Sequence, residues 1–136
     1  MIFVDASALV AVICNEDGAG AVAACLERTE PFITSPVAIY EASLAVARRT
    51  GCSMAQARRD VEEFSGRTGI VSVSFAPEDA ALALSAFERF GKPRHPAKLN
   101  MGDCFAYAVA KSRNASILFV GADFNHTDLT DALAVG

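Results

Sequence analysis

The chain has 136 residues, 52% of them hydrophobic and 21% charged, which suits one compact domain able to bury a core without staples. No apolar run approaches the roughly 18 residues of a membrane span, and no basic stretch precedes Asp5. Neither an anchor nor a secretory signal is therefore expected, and the expected compartment is the cytoplasm. The net charge of −4 and the pI near 5.1 argue, as totals, against a nucleic-acid partner.

In chain order, Met1–Val4 reads as a buried strand that stops on Asp5, with Ser7 expected to cap a helix through Ile13. Asn15–Gly18 is a turn, and helical spacing resumes from Ala19 to near Arg28. Phe32–Thr34 is a second short strand. Ser35-Pro36 opens a nearly apolar helix to Thr50. Ser53 caps a further helix carrying Arg58, Arg59, Asp60, Glu62 and Glu63 on its polar face. Ile70–Val73 is a third strand, and the sequence predicts a helix from Ala80 to about Phe90. An irregular loop, Gly91–Met101, precedes a helix from Asp103 to about Ser112 that Asn100 can cap. Ile117–Val120 is a fourth strand, and Ala132–Val135 suits a short last one.

Strands alternating with helices predict an α/β domain around a mostly parallel sheet, with right-handed crossovers. The helix pair between the second and third strands exceeds one crossover and predicts a projecting αα-hairpin. Cys14, Cys25, Cys52 and Cys104 are scattered without a C-x-x-C pair, and His95 and His126 are the only histidines. The cysteines therefore read as reduced, small hydrophobes rather than zinc ligands. Basic residues concentrate in the middle of the chain: Arg48-Arg49, Arg58-Arg59, and the loop with Lys92, Arg94, His95 and Lys98. Such a distribution suits a phosphate-tracking rim around a cation site, or ordinary solvated charge.

Four carboxylates carry the functional question. Asp5 and Asp123 each end an apolar strand run, where ligands bind in open α/β sheets. Glu41 is the only charged residue between Pro36 and Arg48, so it needs a partner to offset desolvation; Arg48 or Arg49 is one candidate. Asp103 begins an apolar helix three residues after Asn100, as either a capping-box member or a ligand. Asp5 and Ser7 can likewise be a simple cap, and Asp123 a turn residue. If the four converge they repel one another and call for a cation. Oxygen-only donors select Mg²⁺ or Mn²⁺, and such ions suit in-line phosphodiester displacement.

Val4-Asp5-Ala6-Ser7, Tyr40-Glu41-Ala42-Ser43, the run Leu99–Ala108 with Asn100-Met101-Gly102-Asp103, and the run Leu118–Leu129 with Gly121-Ala122-Asp123 and Thr127-Asp128 resemble the successive signatures of PIN-domain ribonucleases. The nearest resemblance is to VapC-type toxins of bacterial toxin–antitoxin pairs, and it spans nearly the whole chain as a single PIN domain, 1–136. The resemblance implies a three-layer α/β/α sandwich with a five-stranded sheet. It also implies Mg²⁺- or Mn²⁺-dependent endonucleolytic cleavage of RNA, which leaves a 5′-phosphate and a 3′-hydroxyl. Carried over by position, Asp5 and Asp103 are the principal metal ligands, Glu41 holds the metal or orients its water, and Asp123 completes the cluster. Ser7 and Thr127 become hydroxyl supports, with Asp128 beside them. Lys92, Arg94, His95, Lys98 and Arg48 or Arg49 become candidates for RNA backbone contacts. The implied partners are RNA, a VapB-type antitoxin and a second copy of the chain, with promoter DNA bound only through the antitoxin.

Two rival classes fit less well. Haloacid-dehalogenase-like phosphatases need a second Asp two positions after the first, and Ser7 stands there. A phospho-acceptor module needs an acceptor Asp after the third strand, where Ser74-Phe75-Ala76 lies, and a late Lys, whereas none follows Lys111.

Overall fold

A computed structural model of the chain describes residues 1–91 and 98–134. Strands β1 (Ile2–Val4), β2 (Phe32–Thr34), β3 (Ile70–Ser72) and β4 (Ser116–Leu118) form one parallel sheet in the order β3-β2-β1-β4. Phe3 of the central strand is in register with Ile33 on one side and Ile117 on the other. Ile2, Phe3 and Val4 are all buried, which explains why this strand is apolar at every position rather than at alternate ones.

Among the described residues six helices surround the sheet: α1 (Ala6–Ile13), α2 (Ala19–Leu26), α3 (Pro36–Thr50), α4 (Met54–Thr68), α5 (Pro77–Phe90) and α6 (Met101–Ser112). The steps β1→β2 and β2→β3 move one way across the sheet, and β3→β4 returns past β1. With right-handed crossovers, the first two steps put α1–α4 on one face and the third puts α5 and α6 on the other. The packing agrees, since α1 touches α2, α3 and α4, while α5 packs chiefly on α6. Strand order therefore reverses between β1 and β4, and the crevice at their carboxyl ends is where such sheets bind ligands.

Local chemistry sets the helix ends. Ser35 accepts from the Ala38 N–H with Pro36 in the first turn, and Ser53 accepts from the Gln56 N–H, both as the sequence indicates. The first helix differs: Asp5, not Ser7, is its N-cap, and Ser7 lies inside the first turn. Helix α5 starts at Pro77 rather than Ala80, because Asp79 Oδ2 takes the Ala76 N–H at 2.7 Å.

One architectural expectation is corrected. The described residues contain four strands rather than five. The expected last strand is a single bridge between Ile117 and Asp131, and Asp131 Oδ1 then takes the Leu133 N–H at 2.9 Å, turning the chain out of the ladder. The end of that expected strand, Val135, lies outside the described residues. In the helix pair α3–α4, Ala57 and Val61 of α4 are buried in the same core as Val46 of α3.

The segment after β4 is tied down from the opposite face. The buried Tyr107 hydroxyl donates to Asp128 Oδ1 at 2.6 Å, and Lys111 Nζ reaches Asp128 Oδ2 at 2.9 Å. Burial alone would raise Asp128, but the Tyr107 hydroxyl and Lys111 carry it down to about 2. The same hydroxyl accepts from Arg89 at 3.2 Å, so Tyr107→Phe is expected to lower stability by about 1.5–3 kcal/mol in denaturant unfolding, since it removes two hydrogen bonds to charged groups.

Candidate active site at the carboxyl edge of the sheet

A cleft of about 550 Å³ opens at the β1–β4 crevice, and its lining includes Asp5, Ser7, Tyr40, Glu41, Arg48, Arg49, Met101, Asp103 and Asp123. All four carboxylates singled out in the sequence thus border one space, brought there by β1, α3, α6 and the segment after β4.

Asp5 is only 6% exposed. Its Oδ2 accepts from the Ser7 hydroxyl at 2.6 Å and the Ser7 N–H at 3.1 Å, and Ser7 Oγ in turn accepts from the Val120 N–H at 3.0 Å. One hydroxyl therefore locks the end of β1 to the chain leaving β4. The same contact explains why β4 stops at Leu118 rather than Val120: the Val120 N–H turns to Ser7 instead of a strand.

Asp103 is 8% exposed and sits in the first turn of α6. It forms a reciprocal capping box, with Asn100 N–H on Asp103 Oδ2 at 3.2 Å and Asp103 N–H on Asn100 Oδ1 at 2.9 Å. Capping and site residence are compatible, because the cap fixes the carboxylate at the edge of the cleft. Glu41 is half-buried and bonds to no other described residue through a hydrogen bond or ion pair. Its proposed counter-ion is otherwise engaged: Arg49 Nε pairs with Glu16 at 2.7 Å, and Arg48 is exposed. Gly102 lies against the Glu41 carboxylate so closely that a β-carbon there would overlap it. This glycine was not singled out in the sequence. A glycine beside the candidate ligand Asp103, in an otherwise bulky helix start, was the available signal.

The electrostatics follow from this crowding. Burial pushes Asp5 up, the Ser7 and Ala6 hydrogen bonds oppose it, and Asp123 adds to the rise. Burial and then Asp5 push Glu41 up. Burial raises Asp103 against the Asn100 N–H, and Asp5, Asp123 and Glu41 carry it to about 7. A carboxyl raised in the folded state keeps its proton after the unfolded chain has lost its own, so folding stability falls as pH climbs from about 4 to about 7. Metal-free protein is thus expected to melt at lower temperature at pH 7.5 than at pH 5. Mg²⁺ is expected to raise the melting temperature more at pH 7.5, and Asp103→Asn to flatten the metal-free pH slope.

Not every expected residue joins the cluster. Thr127 Oγ1 donates to Phe124 O at 2.8 Å and accepts from the Leu129 N–H at 3.3 Å, so it shapes the loop after Asp123 rather than touching a carboxylate of the cleft. Asp128 faces Tyr107 and Lys111, as described above. Lys98 is exposed, with φ 53°, just before the α6 cap. Lys92, Arg94 and His95 lie outside the described residues.

The donor set fits a hard divalent cation: it is all oxygen, it crowds Asp5, Glu41 and Asp103 so that burial and mutual repulsion raise these three, and it lacks a basic partner among the described residues. No three of these side chains are gathered tightly enough to enclose an ion alone among the described residues. That suits Mg²⁺, which keeps waters and shares its remaining positions with substrate phosphate.

Residues 2–129 match the PIN domain family. This chain belongs to the PIN-domain family, among the VapC ribonucleases. It is 38% identical over 134 residues to ribonuclease VapC36 of Mycobacterium tuberculosis, covering 98% of this chain and 94% of the relative. To ribonuclease VapC30 of the same organism it is 34% identical over 126 residues, covering 93% and 94%. A VapC ribonuclease of Rhizobium meliloti is 33% identical over 141 residues, covering 95% and 99%. Among solved structures, the PIN-domain fold is similar to that of M. tuberculosis VapC20, described as a sarcin–ricin loop cleaving toxin. The two superpose with TM-score 0.78 at 17% identity, over 96% of this chain and 98% of the other. Among the described residues of this PIN domain, no helix is long and apolar enough to cross a membrane.

Proposed function

We propose that this PIN domain is a divalent-metal-dependent endoribonuclease, and that it acts as the toxin of a VapBC-type pair by cutting RNA needed for translation. The observation that carries the reading is the meeting of Asp5, Glu41, Asp103 and Asp123 on one cleft without an ion-pair partner among the described residues.

In this mechanism Asp5, just after β1, and Asp103, in the first turn of α6, would hold the cation, with Glu41 and Asp123 completing the donor set. When bound, Mg²⁺ or Mn²⁺ supplies positive charge at the scissile phosphate and makes water more acidic. Ser7 keeps Asp5 fixed through its hydroxyl, and Asn100 does the same for Asp103 through its backbone N–H, so the cluster needs little reorganisation. Glu41, raised in pKa and unpaired among the described residues, is suited to take a proton from the attacking water. Attack forms a new P–O bond and breaks P–O3′. The departing oxygen takes a proton, leaving a 3′-hydroxyl and a 5′-phosphate.

Arg48, Arg49 and Lys98 are proposed to contact the RNA backbone, with Lys92, Arg94 and His95 as further candidates; such contacts position RNA without reading sequence. A VapB-type antitoxin is the proposed inhibitor in a cytoplasmic complex that contains two copies of this chain and meets promoter DNA only through the antitoxin. The test is incubation of the purified chain with pooled cellular RNA in Mg²⁺, in Mn²⁺ and in EDTA. Discrete fragments with either metal and none in EDTA are expected. Intact RNA under all three conditions would reject the ribonuclease reading.

A further inference from the structure

Two large side chains stand out at the cleft because they remain exposed. Tyr40 is 64% exposed and Met101 is 69% exposed, yet both line the same cleft as the carboxylates. Tyr40 immediately precedes Glu41, and Met101 stands two residues before Asp103. Scattered exposed apolar residues are ordinary, but paired ones bordering a functional cleft indicate a ligand surface. The Tyr40 ring and hydroxyl take no partner among the described residues, so nothing in the fold requires an aromatic there.

We propose that Tyr40 and Met101 form a stacking platform for an unpaired nucleobase next to the scissile phosphate. The proposal rests on the ribonuclease reading above and adds the residues that orient the substrate. A phosphate held at the carboxylates carries a nucleoside on each side, and Tyr40 and Met101 stand one and two residues before Glu41 and Asp103 on the border of the same cleft. An aromatic face stacks any base, and the soft thioether of Met101 packs against π-surface. The same wall of α3 continues through Leu44 and Ala45 to the exposed Arg48. Arg48 is two helical turns from Glu41, about 10 Å along the axis. Platform, carboxylates, apolar wall and guanidinium thus border one cleft, a set of groups suited to the base and phosphates of one single strand. Duplex RNA keeps its bases stacked and cannot offer one to Tyr40, so the platform selects loops and single strands. Tyr40 is accordingly a positioning residue that acts on KM more than on kcat.

The test uses a single-stranded RNA oligonucleotide that the wild-type chain cleaves, plus versions lacking one base on either side of the cleaved bond. Tyr40→Ala is expected to raise KM about tenfold on the intact oligonucleotide with little change in kcat. Tyr40→Phe is expected to retain wild-type values. Removal of the stacked base is expected to raise KM for wild type and add nothing for Tyr40→Ala. A second readout is optical, since the chain has two tyrosines and no tryptophan, and the other tyrosine, Tyr107, is only 2% exposed. Oligonucleotide binding to Asp5→Asn is expected to quench tyrosine emission, and adding Tyr40→Phe is expected to remove the quench while binding persists. Unchanged KM for Tyr40→Ala, or a quench that survives Tyr40→Phe, would overturn the platform while leaving the ribonuclease reading intact. An effect of Tyr40→Ala confined to binding of a protein inhibitor would assign the surface to that partner and equally overturn it. Absence of any wild-type cleavage would sink both readings together.

Discussion

Asp5→Asn is expected to reduce RNA cleavage by about 10²–10³-fold while raising the melting temperature of the metal-free protein. The activity loss follows from removal of the most deeply buried charge aimed at the cleft; single electrostatic groups of this kind are worth about 10²–10³ in rate. The stability gain follows from the same burial. An asparagine oxygen can still accept from the Ser7 hydroxyl and N–H, so the lock to Val120 survives. What disappears is a carboxylate whose ionised form is disfavoured by burial and by Asp123, and which in turn raises Glu41 and Asp103. Mg²⁺ is expected to stabilise the wild type more than the variant. Thermal unfolding with and without EDTA, beside a cleavage assay, reads both effects. A variant that is inactive and also markedly less stable without metal would make Asp5 a structural cap rather than a cation ligand.

Gly102→Ala is expected to lower kcat/KM by about 10²-fold with little loss of fold. The new methyl group would overlap the Glu41 carboxylate, which is the free end of a flexible side chain and can swing away. Folding tolerates that movement, and alanine is a better helix former than glycine by about 1 kcal/mol. Catalysis does not tolerate it, because a misplacement of roughly 1 Å in a reacting group can cost about 10² in rate. The two positions are expected to be non-additive: Glu41→Ala with Gly102→Ala should be no less active than Glu41→Ala alone. Strict additivity in that cycle would show that Gly102 acts on something other than Glu41.

The main lines of the fold were legible because each rests on local chemistry. An apolar run ending on Asp5, a Ser-Pro helix start at Ser35 and an Asn100-x-x-Asp103 box all specify their own backbone. Glu41 was legible through desolvation, being a lone charge on an apolar helix. The misses come from contacts distant in sequence. The length of β4 depends on a hydroxyl 113 positions away at Ser7, which no local pattern reveals. The expected fifth strand ends at one bridge because Asp131 captures the Leu133 N–H. Periodicity also marked α3 and α4 as longer than one crossover needs, but could not show that Ala57 and Val61 dock α4 on the common core. In the site, the carboxylates announced themselves by charge, whereas Gly102 and Tyr40 matter through space that only the fold defines.

The most direct test of the central claim is the end chemistry of the RNA fragments. Water attack at the acidic pocket leaves a 5′-phosphate and a 3′-hydroxyl, whereas attack by the neighbouring ribose hydroxyl leaves a cyclic phosphate and a 5′-hydroxyl and needs no metal site. Fragments made by the wild-type chain in Mg²⁺ are expected to ligate directly through a 5′-phosphate and to be absent in EDTA. Fragments that carry 5′-hydroxyl ends, or that form equally well in EDTA, would contradict a cation-dependent hydrolysis at Asp5, Glu41, Asp103 and Asp123.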